Sequence, residues 1–339
     1  MSTQVHHKKK FFDFFPTPKF LEMPSVGIDI SDQAIRFVEI TRSEYSHHKF
    51  RLASFGEKKI PEGVVTSGLI NKPEEIKKIL AEIRKEHGYK FVSASLPEEK
   101  GYLFKTEVPN IGKKDIAGNI ELKLEENVPI RATDAVFDFS LINAQSNSQQ
   151  IEAVVTVMPS ELVDSYTEIF ESVFMVPVSY ELITQAVAQS IIPRDEKETY
   201  LIVYIGDTRT GFGIVSDGAL QFTSTINIGA VTVSTETGNK YDPIKTEVTK
   251  LGLYWQDHIE KNKSEKPIKG VVLCGREAVA PGFKETIAEA AGCPVNLANV
   301  WTNVFDFKDH LPELSFENSL DYAPAIGLSL SRYYHAQFT

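Results

Sequence analysis

Apolar and polar positions along the chain follow two periods, one typical of β-strands and one typical of amphipathic helices. Apolar runs at residues 26–30 and 201–205 each lead into a polar turn and a second apolar run, which predicts two β-hairpins with polar tips. A helix is predicted over Pro73–His87, where an apolar stripe recurs at helical spacing, Asn71 can cap the first turn and Gly88 follows the last. Strands and helices thus alternate as they do in α/β proteins.

Between residues 98 and 176 the pattern predicts a smaller αβ unit. Strands are expected over 102–108, 136–142 and 151–158, helices over 115–126 and 160–174, and a further helix over 180–191. The charged residues 194–198 then separate this part from a second half that repeats the hairpin opening of the first. Helices are predicted there over 243–261, 281–291 and 322–334.

These patterns predict a two-lobed α/β protein, since 339 residues are expected to form about two domains. The predicted first lobe is 25–97 with 177–194, the inserted αβ subdomain is 98–176, and the second lobe is 195–334. Residues 1–24 form a separate tail, in which three lysines (8–10) precede the phenylalanines at 11, 12, 14 and 15. Basic residues beside aromatic rings can bind anionic lipid, so the tail is expected to contact the membrane or a partner, to remain mobile, or to fold its phenylalanines back onto the body.

Composition narrows the class of partner. The net charge of −10 argues against nucleic acid, which requires a clustered basic face. Two cysteines, Cys274 and Cys293, give neither a disulfide framework nor metal-ligand spacing, which fits a reducing cytoplasm. Apolar runs stay shorter than the ~18 residues that a membrane span needs, and no signal peptide is recognised.

Three strand-to-turn segments carry candidate binding chemistry. The tips of the two hairpins bring backbone N–H groups, small hydroxyls and carboxylates together, which can hold a polyphosphate; the predicted phosphate-binding residues are Asp29, Ser31, Asp32, Arg36, Gly206, Asp207, Thr208 and Thr210. A third strand ends at Gly275, where an adenosine can lie against bare backbone, so Gly275, Arg276 and Glu277 are the predicted adenosine-binding residues. Arg276 and Glu277 are expected either to stack on or hydrogen-bond the base or to fill an empty pocket. Asp29 is the predicted Mg²⁺ partner, acting through water. No catalytic triad, P-loop or histidine cluster offers a rival chemistry.

The segments VGIDIS (26–31) with IRFVE (35–39), ELKLEENVPI (121–130) with FDF (137–139), and YAPAIGLSL (322–330) carry a family resemblance. Together with the two hairpins they resemble the actin-like (ribonuclease-H-like) fold of the actin and sugar-kinase superfamily. Within it they are most similar to the branch that contains the cell-division protein FtsA and the type IV pilus assembly protein PilM, with PilM the nearer. The resemblance covers about residues 25 to 333 and implies ATP and Mg²⁺ as cofactors.

The chain departs from that family pattern at the nucleotide segments. Tyr204 stands where the family usually has an aspartate, Ser31 replaces a usual glycine, and Gly275 stands where several glycines are usual. The stretch between Gly229 and Pro243 is short, which predicts a reduced closing subdomain. Because phosphoryl transfer depends on positioning and charge neutralisation, ATP binding is expected to be degenerate and hydrolysis very slow or absent.

The resemblance also implies a partner and a location. It predicts a cytoplasmic scaffold at the inner face of the cytoplasmic membrane. The scaffold is expected to bind the N-terminal segment of a membrane-anchored, PilN-type protein along the 98–176 unit. It is expected to reach the membrane mainly through that protein. The alternatives are an FtsA-like filament former, the cytoplasmic part of a type II secretion protein, a small-molecule kinase, and a pseudo-ATPase scaffold that holds no nucleotide.

Overall fold

The computed structural model describes residues 25–42, 50–111, 113–142, 149–235, 240–261, 265–306 and 311–335. The tail predicted at 1–24 and most of the predicted loop at 145–150 lie outside these residues. The strands are β1 (Ser25–Ile30), β2 (Ala34–Arg42), β3 (Phe50–Lys59), β4 (Val65–Thr66), β5 (Leu69–Ile70), β6 (Phe91–Leu96), β7 (Tyr102–Pro109), β8 (Ala135–Ile142), β9 (Gln150–Pro159), β10 (Val176–Leu182), β11 (Thr199–Ile205), β12 (Thr210–Ser216), β13 (Ala219–Ile226), β14 (Ile268–Cys274) and β15 (Val295–Leu297). The helices are α1 (Pro73–His87), α2 (Lys113–Asn127), α3 (Ser160–Ser172), α4 (Ile183–Ile191), α5 (Ala230–Thr235), α6 (Asp242–Lys261), α7 (Phe283–Ala291), α8 (Phe316–Ser319) and α9 (Ala323–His335).

The two lobes are built on one plan. The sheet of the first lobe has the order β10-β6-β1-β2-β3, and the sheet of the second has the order β13-β12-β11-β14-β15. In each, the opening strand pairs antiparallel with the next strand and parallel with a later one. The repeated hairpin opening predicted from the sequence therefore places β1 and β11 at the centres of equivalent sheets.

Each sheet buries its apolar side chains against helices. The apolar faces of α1 and α3 cover the first-lobe sheet, and those of α6 and α7 cover the second. Helices α4 and α9 lie together between the two sheets, where Trp301 is also buried. The two helices pack so closely that the carbonyl oxygen of Ala186 lies where a Cβ at Gly327 would stand. A larger residue in place of Gly327 would therefore push α9 away from α4.

The inserted unit has its own small core. Its three-stranded sheet, β7-β9-β8, is covered on one face by α2. The apolar stripe of α2, formed by Ile116, Ile120 and Leu124, is fully buried against this sheet and is therefore used within the unit.

The structure differs from the predicted elements in several places. Asn71 does not cap α1, because its side chain donates hydrogen bonds to the Gly63 carbonyl and to Thr66. The helix predicted over 180–191 begins only at Ile183, since the preceding residues belong to β10, a parallel strand that the pattern missed. Helix α3, placed by the sequence in the inserted unit, buries its apolar face in the core of the first lobe.

Helix α9 also differs from its predicted place, since it was assigned to the second lobe but packs on β1 and β2 of the first. Among the helices of the described residues, none is long and apolar enough to cross a membrane.

Candidate functional site

The tips of the two equivalent hairpins meet across the cleft between the lobes. Six of the predicted phosphate-binding residues line one small cavity there: Asp29, Ser31, Asp32, Gly206, Asp207 and Thr208. They meet because β1 and β11 are the central strands of their sheets and both end at the cleft. Arg36 lies beside this cavity, whereas Thr210 turns away from it and donates its hydroxyl hydrogen to the carbonyl oxygen of Ile228 at 2.6 Å.

Asp207 of the second lobe is held by two residues of the first. Arg36 donates two hydrogen bonds to its carboxylate, at 3.0 and 3.1 Å, and the Ser31 hydroxyl donates a third at 2.8 Å. Burial opposes the charge of Asp207, but the hydrogen bonds and the positive charge of Arg36 outweigh it and lower the pKa of the carboxyl group. Arg36 also donates its Nε–H to Glu57 at 2.8 Å, so this guanidinium is fixed by two carboxylates.

Asp32 of the first lobe makes the reciprocal contacts. Its carboxylate accepts hydrogen bonds from the Thr208 hydroxyl at 2.9 Å and from Arg209 at 2.7 Å, both in the second lobe. Arg209 is also paired with Glu99 at the start of the inserted unit. We call Ser31, Asp32, Arg36, Asp207, Thr208 and Arg209 the inter-lobe cluster, because every one of them bonds across the cleft.

Two carboxyl groups are buried beside this cluster. Asp29 accepts a hydrogen bond from the Ser95 hydroxyl at 2.7 Å, and burial raises its pKa to about 6. Glu98 accepts hydrogen bonds from the backbone and side chain of Thr184 and from the hydroxyl of Thr223, so it joins the first lobe to the second. Burial raises the pKa of Glu98 to about 7. The Tyr204 phenol, buried near Asp29 and Arg36, likewise has a raised pKa because of burial.

The predicted adenosine segment lies at the end of β14. Gly275 has φ +94°, and a Cβ there would meet the carbonyl oxygen of Ile205 at 2.1 Å, so the glycine is required by close packing against β11. The Arg276 amide donates to Asp321 at 2.8 Å, and its guanidinium pairs with the same carboxylate at 2.5 Å. Glu277 is partly buried in the short 3-10 helix that follows.

Little free volume lies between the hairpin tips in this arrangement. The cavity between the hairpin tips measures about 60 Å³, whereas ligand pockets are typically on the order of 300–1,000 Å³. The serine, threonine and arginine groups that could bind phosphate are already bonded across the cleft, and the carboxyl groups around them outnumber the guanidinium groups. Asp29 can hold a water on Mg²⁺ by its chemistry, but within the described residues no group of three His, Cys, Asp or Glu side chains is placed to ligate a metal.

Sequence reasoning missed several residues of this site. Arg209 lies within the second hairpin tip, and this position was the only feature of the sequence that could have identified it as a site residue. Glu57, Glu98, Glu99 and Asp321 lie on other strands and turns, and only the packing of the lobes brings them to the cleft.

A larger cavity of about 370 Å³ lies where the inserted unit meets the second lobe. Glu98, Glu99, Gly101, Tyr102 and Leu103 form one side, and residues 222–225 of β13 form the other. We call this cavity the junction groove. An aromatic pair at its edge, Phe222 and Tyr254 with ring centres 4.7 Å apart, gives it an apolar wall.

Two equivalent lobes, hairpin tips that meet across a cleft and an αβ unit inserted in the first lobe define a protein of the actin-like class. The sequence profile of the type IV pilus assembly protein PilM family matches residues 27–251, which is more than half of the chain. The chain belongs to this family. It is therefore an actin-like protein of type IV pilus assembly, and the fold and family predicted from the sequence are confirmed.

Several solved structures of low sequence identity are similar to this chain. The PilM-PilN type IV pilus biogenesis complex matches with a TM-score of 0.71 at 18% identity, covering 91% of this chain and 98% of that one. MreB5 of Spiroplasma citri bound to ADP matches with a TM-score of 0.50 at 9% identity, covering 93% and 97%. The cytoplasmic domain of EpsL, an inner membrane component of the Vibrio cholerae type II secretion system, gives 0.48 at 10% identity, covering 90% and 94%. Among curated proteins, no sequence matches the chain.

Proposed function

We propose that this protein is a scaffold at the inner face of the cytoplasmic membrane, which binds the N-terminal cytoplasmic segment of a membrane-anchored, PilN-type partner. The observation that carries this proposal is the similarity to the PilM-PilN complex over nearly the whole length of both chains. In this proposal the partner provides the main link to the membrane.

We further propose that nucleotide binding is degenerate. ATP would place its phosphates between the two hairpin tips, with its base near Gly275, and would have to displace the hydrogen bonds of the inter-lobe cluster. The phenol of Tyr204 cannot supply the negative charge that a carboxylate would offer to hydrated Mg²⁺. The protein is thus at most a very slow ATPase, and the ion pairs Arg36–Asp207 and Arg209–Asp32 hold the lobes together without a ligand.

The partner segment is proposed to bind on the 98–176 unit, at the junction groove. The stripe of α2 is buried in the core of the unit and offers no surface to a partner. The junction groove has a volume within the usual range for ligand sites and is lined by apolar, aromatic, hydroxyl and carboxyl side chains, the last from Glu98 and Glu99. An extended peptide in such a groove gains affinity from main-chain hydrogen bonds and specificity from side-chain pockets.

A synthetic peptide copying the first ten or so residues of the cognate partner tests the site. It should bind with a dissociation constant on the order of micromolar, because a short segment loses entropy on ordering. Thr225→Trp fills the junction groove and should weaken binding at least tenfold, whereas Thr249→Trp on the exposed face of α6 serves as the matched control. Amide signals of residues 98–176 should shift during the titration, while those of the exposed face of α6 stay in place. Equal binding by both tryptophan variants would show that the groove is not the site.

A further inference from the structure

One carboxylate in the cleft accepts hydrogen bonds from four donors. The Asp32 side chain, which is 12% exposed, accepts from the amides of Ser67 and Gly68, each at 3.2 Å, as well as from Thr208 and Arg209. Its Oδ1 accepts from Gly68 and Arg209, and its Oδ2 accepts from Ser67 and Thr208. Two adjacent backbone amides, a hydroxyl and a guanidinium are the groups with which proteins bind phosphate and other oxyanions. We call these four donors the four-donor site.

The turn that supplies the two amides is held in place by contacts other than Asp32. It joins β4 to β5 with φ +51° at Ser67 and +70° at Gly68, as a tight two-residue hairpin turn requires. The Tyr166 hydroxyl donates to the Gly68 carbonyl oxygen at 2.8 Å, and a Cβ at Gly68 would meet the side chain of Pro97 at 2.1 Å. Because α3 and Pro97 fix the turn, we expect its amides to keep their direction when the carboxylate is removed.

An occupant of the four-donor site joins the two lobes, because its donors come from both. The turn amides belong to the first lobe, and Thr208 and Arg209 belong to the second. Asp32 is attached to the chain beside these donors, so its carboxylate has a high effective concentration and a free oxyanion must displace it to bind. Gly68 and Arg209 also line the cavity of about 60 Å³ between the hairpin tips, so removal of the Asp32 side chain enlarges a space that already adjoins the donors.

Acidic groups around the four-donor site oppose a second anion there. Arg209 is also paired with Glu99, and Asp29 and Glu98 line the same cavity. The carboxylate of Asp32 carries one negative charge, whereas a phosphate group carries roughly one to two at neutral pH and is repelled more strongly by these neighbours. Once Asp32 is removed, we therefore expect free phosphate to bind with a dissociation constant on the order of millimolar.

We propose that Asp32 is an internal ligand of an oxyanion site, and that its carboxylate excludes phosphate groups from the four-donor site while it holds the lobes together. The site takes a phosphate-type oxyanion, free or as the terminal group of a nucleotide, only when Asp32 is displaced. This inference rests on the proposed degeneracy of nucleotide binding and extends it by naming the group that blocks the phosphates. It is independent of the proposed partner segment.

Rescue of an Asp32 variant by inorganic phosphate tests the site. Asp32→Ala should lower the melting temperature, because Arg209 and the turn amides lose their acceptor. Phosphate at ten times its dissociation constant should then raise the melting temperature of this variant by about 2 °C more than that of the unmodified protein, at an ionic strength held constant with sodium chloride. Asp134→Ala, which removes an exposed carboxylate paired with Arg131, is the matched control for the general stabilising effect of phosphate on folded proteins.

Further variants and ligands identify the donors and the source of the phosphate. Asp32→Ala with Arg209→Met should lose the additional shift, and it is expected to fold because removing both partners of an ion pair costs less than removing one. Asp32→Asn replaces Asp32→Ala if the latter does not fold, and phosphate should still stabilise it more than it stabilises the unmodified protein. A lower half-saturating concentration for ADP than for phosphate assigns the site to a nucleotide, and an equal or higher one assigns it to free phosphate. Adenosine should have no effect.

The proposal is overturned if phosphate stabilises the Asp32 variant no more than the unmodified protein and Asp134→Ala, or if the additional shift persists without Arg209. It is also overturned if Asp32→Ala is as stable as the unmodified protein, or if adenosine stabilises the variant as well as ADP does. Binding of Mg-ATP and of the partner peptide to the unmodified protein is measured separately. Failure of either ligand to bind there counts against the proposed function and leaves the phosphate result for Asp32→Ala unaffected.

Discussion

Replacing Arg36 by methionine removes the charge that fixes Asp207 while keeping most of the apolar length of the side chain. The Arg36 side chain is 6% exposed and that of Asp207 is 18% exposed, so the pair is shielded from water. Removing one partner of such a pair leaves a buried charge uncompensated, which typically costs about 3–5 kcal/mol. In a chain of 339 residues that corresponds to a fall in melting temperature of about 4–7 °C.

Asp207→Asn should lower the free energy of unfolding by less, about 2 kcal/mol, because it only replaces a carboxylate with a neutral amide. Arg36→Met instead leaves two carboxylates, those of Asp207 and Glu57, without their cation. The double variant should lose less than the sum of the two, with a coupling energy of at least about 1 kcal/mol. Urea-induced unfolding followed by tryptophan fluorescence measures these values, since Trp301 is buried between the lobes. Lys78→Met, which breaks the exposed pair with Glu75, is the control and should have no measurable effect.

The pH dependence of this effect has a definite sign. The pKa of Asp207 in the folded protein lies below its value of 3.8 in an unfolded chain. Its contribution to stability is therefore present above about pH 4 and is lost as the pH falls through the folded pKa. The unmodified protein and Arg36→Met should converge in acid. Additive single substitutions, or a cost of Arg36→Met no larger than that of the control, would refute the argument.

Two other measurements test the cleft. Mg-ATP at a hundred times its dissociation constant should stabilise the fold by about 2.7 kcal/mol, and the absence of a thermal shift at millimolar Mg-ATP would indicate a scaffold that binds no nucleotide. The rate of steady-state ATP hydrolysis should not exceed that of the Asp29→Asn variant. Tyr204→Asp should increase that rate. Burial raises the pKa of Asp29 to about 6 and that of Glu98 to about 7. Their contribution to stability is therefore complete below their unfolded pKa values of 3.8 and 4.5 and is lost as the pH rises through 6 and 7. The free energy of unfolding should fall as the pH rises from about 4 to about 7, and Glu98→Gln should make this fall smaller.

Local patterns predicted the elements well where a helix or turn is determined by its own residues. Helix α1 begins and ends at the predicted residues, and Gly88 ends it in the left-handed conformation. Asp217 and Gly218 both have positive φ in the turn between β12 and β13. Strand β10 was missed because Pro177 interrupts its apolar alternation and a bulge shifts its register, so its strand character depends on pairing with β6.

The sequence predicted that the two hairpin tips face each other, but not how their side chains are bonded. Ser31, Asp32, Asp207 and Thr208 were singled out as phosphate ligands from their place in two turns, and the structure brings these turns together. A turn, however, gives no information on which residue of the opposite lobe it will face. The pairing of Arg36 with Asp207 depends on the angle and distance between the lobes, which are determined by α4 and α9 rather than by either hairpin.

The position of α9 has a consequence for the order of folding. Gly27 near the start of the first lobe lies so close to α9 that a Cβ there would meet the Ala325 carbonyl oxygen at 2.0 Å. One face of the first sheet is therefore covered only after about 300 further residues have been synthesised. Until then the nascent first lobe exposes the apolar face of β1 and β2, and contacts of such long sequence separation form slowly. Holding that face in a soluble form during translation is a task for chaperones, and substitutions in α9 should lower the yield of folded protein more than equally buried substitutions in α1.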